Sequence, residues 1–431
     1  MKVALVAVGS RGDVEPYIAL GQRLKQRGHS VRVAALALFE QDVVDAGLEF
    51  HSLGSLPERF KSRSGSDGAR SRRDASTLFR GVAGRVLFWA FFPGMLRPAL
   101  DRFISACEGA DAVIFTRLAL PVPHVAERLG IPCFAGFPVP HTPTRAFENP
   151  LYVRAKGSGP LRTRATYAIE WGLTHQLSYG VLARFRRDRL GLPALSRGAL
   201  REHMAKTVRG TLYAYSEAVV PRPDDWAESV KVTGYWSRPP PESFQPPADV
   251  ERFLNEGDPP VAVGFGSMKA SAPEALAALL AEAFAKVGRR AIWQSGWSGL
   301  RPSPHSRNRI LVTGELPHGW LFPRVAAVIH HGGAGTTGAA LRAEVPTIIV
   351  PHAFDQAFWG RRVAALGCGP PSIDIKDLTA SGLANALQLA LEDDRVHAAL
   401  ARIGDCLRAE DGPTRAAEQF ERWTARARAN A

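Results

Sequence analysis

Two short stretches in the second half of the chain carry groups suited to chemistry. The first, His330-His331-Gly332-Gly333-Ala334-Gly335-Thr336-Thr337, leaves a strand-like run (AAVIHH) and enters a helical one (AALRAE). Glycines let a backbone approach a ligand and take torsions closed to other residues. The free N–H groups and the dipole at a helix start suit a diphosphate, and His331 and Thr336 can add donors. The second stretch is Asp355-Gln356, twenty residues after Gly335 and just beyond another apolar run, TIIVP. A carboxylate beside an amide accepts from and donates to several hydroxyls, which is what a sugar presents. The turn is not Gly-x-Gly-x-x-Gly and holds no Walker lysine, which weakens dinucleotide and P-loop readings. Either stretch alone has a plain alternative, a tight packing turn or a solvated Asp-Gln pair; the two together weigh against it.

The elements around them alternate. VALVAVG reads as a buried strand, VEPYIALGQRLKQRGH as a helix ending near Gly28, and SVRVAAL as a second strand. This βαβ opening implies a parallel sheet covered on both faces. DAVIFT, VPHVAERLG and IPCFAGFPV continue it. An Arg-rich helical region to about residue 205 follows, then TLYAYS and VKVTGYW. Residues 237–247 hold five prolines without periodicity and read as a linker. After it the pattern restarts with PVAVGFGSM, a helix ended by Gly288, RAIWQSG, RILVTGEL, AAVIHH and TIIVP, and a helix capped by Thr379. The expected fold is therefore α/β, two doubly wound Rossmann-like domains, with ligand bound in the cleft between them. Asp13 follows the first strand, at the carboxyl end that faces such a cleft, and also suits an N-terminal cap of the VEPY helix.

The totals agree with two domains. The chain has 431 residues, 45% hydrophobic and 22% charged, with a net charge of +13. The positive charge is spread along the chain and no nucleic-acid signature accompanies it; it reads as an Arg-rich background or as attraction to an anionic membrane surface. Four scattered cysteines form no Cys-x-x-Cys and suggest neither a zinc site nor a disulfide framework, so a cytoplasmic setting is expected. Asp13 and Glu15 follow the first apolar run at once, which reads as a strand rather than a signal peptide. The longest apolar stretch, residues 86–96, is too short to span a bilayer. No Asp-x-Asp is present, so no donor-bridging metal is expected.

The glycine turn with Asp355-Gln356, GSRGDVEPYIALGQRL at the N-terminus, FGSM, and PVPHTPTRAFENP together resemble nucleotide-sugar-dependent glycosyltransferases of the GT-B fold. The likeness is to the branch holding sterol 3β-glucosyltransferases and the glycopeptide- and polyketide-modifying enzymes of actinobacteria. It is thin over residues 52–120 and 150–210. The resemblance implies an acceptor-binding domain over 1–236, a linker over 237–247, and a nucleotide-sugar domain over 248–410. A helical tail over 411–431 would pack back on the first domain. It implies that His331, Gly332, Gly333, Gly335 and Thr336 hold the donor's diphosphate and Asp355 and Gln356 its sugar. Ser10 and Arg11 are expected to reach across to phosphates or sugar, Ser267 to add a phosphate contact, and Trp297 to lie near the base. Where plant relatives carry a histidine after the first strand, this chain has Asp13, which the resemblance makes the general base. An ordinary aspartate, with a pKa of about 3.9, is weak for that task, so a raised pKa or a close hydrogen bond is required. His141, in PVPHTPT, is a second base, a determinant of acceptor shape, or a loop histidine.

The implied activity is inverting transfer of a hexose from a UDP- or dTDP-sugar to the hydroxyl of a sterol-like, lipid or polyketide acceptor, without a cofactor. The alternatives are a nucleotide-sugar epimerase or a sugar-nucleotide-binding helper on the same fold, which would need no acceptor. Residues 58–102 hold ten Lys or Arg against four Asp or Glu around the apolar stretch. That segment is either core plus solvated loop, or the wall of an apolar acceptor pocket that touches the inner face of the membrane.

Overall fold

The computed structural model describes residues 1–55, 92–152, 160–266, 272–295 and 309–429. Ser267, Trp297 and most of the basic, apolar 58–102 segment lie outside them.

The strands form two parallel sheets. In the first, β1 (Lys2–Val6), β2 (Ser30–Ala35), β3 (Glu49–Ser52), β4 (Ala112–Phe115), β5 (Cys133–Phe137), β6 (Val208–Tyr213) and β7 (Val230–Val232) lie in the order 3-2-1-4-5-6-7. In the second, β8 (Val261–Gly264), β9 (Ala291–Gln294), β10 (Ile310–Thr313), β11 (Ala327–His330) and β12 (Thr347–Ile349) lie in the order 10-9-8-11-12. Every pairing is parallel. The central strands are nearly all-apolar runs such as Val3-Ala4-Leu5-Val6 because helices cover both faces.

Strand order reverses direction between β1 and β4 in one sheet and between β8 and β11 in the other. Crevices at such switch points, beyond the carboxyl ends of the strands, are where open α/β sheets bind ligands. The first turn of the chain and the glycine turn each leave one of these strands.

The first helix starts earlier than the sequence pattern implies, at Arg11 rather than Val14, and runs to Gln26. The reason is local. Ser10 is its N-cap, and the Asp13 carboxylate receives both the Ser10 N–H (2.8 Å) and the Ser10 hydroxyl (3.2 Å). Asp13 thus sits inside the first helical turn. The Arg-rich region forms helices Pro160–Trp171, Leu177–Asp188 and Ala199–Thr207, the first two joined by a π turn at Gly172–Gln176. Thr379 caps Ala380–Glu392, its hydroxyl accepting from the Gly382 N–H at 3.0 Å.

Behind the cleft the two sheets share a core. Tyr213, Tyr215, Trp226 and Tyr235 from the first half pack with Leu341, Trp359, Val363 and Leu400 from the second. The chain then returns. The helix Gly412–Ala429 places Ala416, Ala417 and Phe420 among Val3, Leu5, Phe134 and Leu212 of the first sheet. Trp423 stacks on Phe134 at 5.6 Å, in space that only a glycine at 210 leaves, since a Cβ there would lie 2.5 Å from the indole. Arg27 clamps Glu421 of this helix with two bonds, 2.9 and 2.7 Å, holding its carboxyl down to about 2.

Candidate active site

On the first domain the site begins with a short, braced turn. The Val8 N–H donates to the buried Thr116 hydroxyl at the end of β4, 2.9 Å away. Gly9 takes φ +148°, and a Cβ there would fall 2.1 Å from Asp13 Oδ2. Only glycine leaves the carboxylate where it is. Burial pushes Asp13 up to about 6; the two Ser10 hydrogen bonds oppose the shift and the charge of Asp355 adds to it. Asp13 and Asp355, 342 residues apart in sequence, therefore feel each other across the cleft. Gly9 and Thr116 were missed by sequence reasoning; the glycine directly after the first strand was the one available signal.

Arg11 also faces the second domain, but its partners are acids: Asp42 at 3.1 Å, Glu315 beyond β10 at 3.4 Å and Glu15 at 3.8 Å. Ser10 is engaged with Asp13. The Ser10 hydroxyl is spent on Asp13, whereas Arg11, among the described residues, is hydrogen-bonded only through Nη2, to Asp42, and half of its side chain is exposed.

On the second domain the glycine turn stands where β11 ends. Gly332 takes φ +93°, and a Cβ there would lie 2.7 Å from Ile349 and 2.9 Å from the Gln356 carbonyl. Its N–H donates to His330 Nδ1 at 3.0 Å. The His331 ring lies over Gly266 and Gly333; a Cβ at those positions would approach it to 3.1 and 2.7 Å. Burial, with His352 and His318 nearby, lowers His331 to about 4, although the Gly264 carbonyl opposes this; the imidazole is neutral and its buried Nδ1 has no partner. The helix Ala334–Arg342 follows, with Gly333 as N-cap and no side-chain cap. Among the described residues, the N–H groups of Gly333, Ala334, Gly335 and Thr336 meet no acceptor. The space above Gly335 is open.

Asp355 is the N-cap of Gln356–Leu366, and its Oδ2 accepts from Trp359 Nε1 at 2.7 Å. Burial raises its pKa, the Trp359 bond opposing. Gln356 is only 4% exposed, and its Oε1 accepts from the His352 and Ala353 N–H groups at 2.6 and 2.9 Å. The side-chain oxygen is thus committed to the loop, leaving the amide N–H2 as the group a ligand can use, where the sequence suggested both. Phe354, just before the pair, holds a positive φ of 56° that is rare for a bulky residue, with its ring exposed.

His141 lies beyond β5, at the same edge as Asp13. Its backbone N–H donates to the Tyr213 hydroxyl (2.9 Å), and its Nδ1 receives an N–H of Arg117, at the end of β4, at 2.9 Å. Arg117 is held in turn by Glu170 and by Thr174 Oγ1 (3.1 Å). Sequence reasoning missed Arg117 and Glu170. Elsewhere in the first domain, His124 forms with Glu127 and His203 the one trio among the described residues spaced to hold a metal ion. The buried Arg186 donates to both His124 and Glu127, so a guanidinium already supplies the cation there.

A two-sheet fold with an uncapped helix N-terminus and an acid-amide pair on one wall, and an elevated carboxylate on the other, defines a sugar-nucleotide transferase architecture. The comparisons agree. Residues 3–148 match the glycosyltransferase family 28 N-terminal domain, and residues 303–422 the C-terminal domain of erythromycin biosynthesis protein CIII-like proteins. Two Arabidopsis thaliana proteins are similar along almost the whole chain. Sterol 3-beta-glucosyltransferase UGT80B1 is 32% identical over 428 residues, 98% of this chain and 68% of that protein. UGT80A2, of the same name, is 33% identical over 422 residues, 97% of this chain but 65% of that protein's length, just under two thirds. The glycotransferase of kitacinnamycin has the same fold, with a TM-score of 0.71 at 21% identity over 98% of both chains. The chain belongs to the GT-B glycosyltransferase family, in the branch that includes the sterol 3-beta-glucosyltransferases. No helix among the described residues is long and apolar enough to cross a membrane.

Proposed function

We propose that the protein moves a hexose, with inversion, from a UDP- or dTDP-sugar to a hydroxyl of an apolar acceptor of sterol-like, lipid or polyketide type. The observation that carries this reading is the bare helix start with Asp355-Gln356 after the strands of one domain, and the partly buried Asp13 after the first strand of the other. The N–H groups at the start of Ala334–Arg342, with His331, take the diphosphate. Asp355 and the Gln356 amide hold sugar hydroxyls. The acceptor oxygen attacks the anomeric carbon from the face opposite the diphosphate. As that O–C bond forms, the bond from carbon to phosphate oxygen breaks and its electron pair leaves on the nucleoside diphosphate. The acceptor's proton passes to Asp13, which later returns it to water. A carboxylate poised near 6 is ionised at neutral pH and a stronger base than an ordinary aspartate. The leaving group needs no acid, and the diphosphate charge is met by the helix dipole and its free N–H groups, with the neutral His331 ring adding a hydrogen bond, so the reading assigns no role to a divalent ion. The distributed charge of +13 supports peripheral contact with an anionic membrane, from which an apolar acceptor would be drawn.

The test is Asp13→Asn, which removes the base but keeps the size of the side chain. Turnover should fall by about 10²- to 10⁴-fold while donor affinity, read by calorimetry, moves little. The product from an α-linked donor should be a β-glycoside; retained configuration, or near-normal turnover in the variant, overturns the mechanism. An epimerase would consume donor without acceptor, which the same assay detects.

A further inference from the structure

We propose that His141 is locked by Arg117 as an Nε2–H hydrogen-bond donor, so that the site selects acceptors carrying a second, hydrogen-bond-accepting oxygen set apart from the hydroxyl that is glycosylated. The inference deepens the reading above and rests on it for the identity of the cleft.

A guanidinium has only donors. With an Arg117 N–H 2.9 Å from His141 Nδ1, that nitrogen must present a lone pair, and the ring proton must sit on Nε2. The lock is itself braced. Glu170 is 3% exposed and binds Arg117, and Thr174 touches both of them, its hydroxyl lying 3.1 Å from each. Glu170 and Thr174 stand four residues apart at the junction of Pro160–Trp171 with the π turn, a distortion often found at functional sites. On the backbone side, the Tyr213 hydroxyl receives the N–H groups of both His141 and Thr142, at 2.9 and 2.7 Å. Phe137 meets the ring edge-on at 5.6 Å. Imidazole position and tautomer are thus fixed by four elements of the first domain.

Nε2 has no partner among the described residues, and the His141 side chain is only partly buried. Burial and the Arg117 charge keep the ring neutral, which leaves it no basic nitrogen for the acceptor's proton. His141 is therefore not the base. It follows β5, which stands two places from β1 along the sheet, a strand offset of about 10 Å. A single hydroxyl docked on Asp13 does not satisfy a donor at that distance. An acceptor with a ketone, ether or further hydroxyl does, and leaving such a buried-edge donor unpaired costs affinity.

Two measurements test this. Imidazole ¹⁵N spectra, with His141 assigned by its loss in His141→Gln, should show a neutral Nε2–H ring from about pH 5 to 9. In Arg117→Met the ring should titrate or exchange tautomers. A native ring that carries its proton on Nδ1, or titrates near 6.5, overturns the proposal. Next, kcat/KM is compared for a steroid mono-alcohol and hydroxyketones of the same skeleton, with the ketone stepped around the rings. At least one hydroxyketone should be preferred by about 10-fold. His141→Phe should bring that ratio close to one, while His141→Gln, which keeps an N–H donor, should retain much of it. No preference, or one that survives His141→Phe, overturns the selectivity role. Failure of the base assignment is seen separately, in Asp13→Asn, and leaves the spectra unaffected. Thermal melts and nucleoside diphosphate binding report whether each variant is folded.

Discussion

The two walls of the cleft are built by different means. The wall proposed for the donor is mostly backbone: a left-handed glycine, two further glycines under an imidazole, a bare helix start, and a pair of side chains beyond the next strand. All of it except Gly266 comes from a single stretch between His330 and Gln356. The wall proposed for the acceptor relies on side chains. Arg117, His141, Glu170 and Tyr213 come from four separate elements and hold one another, while Asp13 is held within its own turn by Ser10. A diphosphate and a sugar are chemically constant ligands, and backbone amides suit them. An acceptor varies, and side chains are the part of a site that can vary with it.

The largest effect that would sharpen this contrast is expected from Asp355→Ala. Losing the sugar's carboxylate partner should reduce transfer by at least about 10²-fold, since hydrogen bonds to charged groups are the strong ones. Binding of the free nucleoside diphosphate should stay close to normal in calorimetry. Equal loss of both would mean that Asp355 serves the phosphates or the fold. His331→Ala should do the reverse, weakening nucleoside diphosphate and whole donor alike by about 10- to 150-fold, as for loss of one hydrogen bond to a charged group. An unchanged diphosphate affinity would break the donor-wall assignment.

A smaller effect links the walls. Because Asp13 must be ionised to act, kcat/KM should fall as pH drops through about 6. In Asp355→Asn one of the causes raising Asp13 is gone, so the residual activity should persist to lower pH. A limb that stays in place, measured on the slow variant, would show that the two carboxylates do not sense each other. The smallest effect is none: activity should survive EDTA, and loss restored by magnesium or manganese would overturn the charge assignment at the helix start.

What the sequence disclosed follows the same division. Glycines and an acid-amide pair within one stretch are visible without a fold, and the strand-helix rhythm gave both sheets. Sequence reasoning placed the first helix three residues late, because Ser10 and Asp13 form a cap whose hydrogen bonds no periodicity reveals. The engagement of Arg11 by three carboxylates was equally hidden, since two of them, Asp42 and Glu315, come from other elements. Arg117 looked like any charge after a strand, and Glu170 like any acid on a helix 53 residues away. The Gln356 carbonyl is consumed by its own loop, which the residue type alone cannot say.

The return of Gly412–Ala429 to the first sheet has a consequence for synthesis. Phe134 and Gly210 are covered by Phe420 and Trp423, so the first domain is unfinished when its last strand, β7, leaves the ribosome. At about 5–20 residues per second, the roughly 200 residues from β7 to that helix keep this apolar face open for about 10–40 s. The second domain is made during that wait. The protein closes its first half last, and a nascent chain stalled anywhere in the second half would carry an exposed aromatic face for a chaperone to hold.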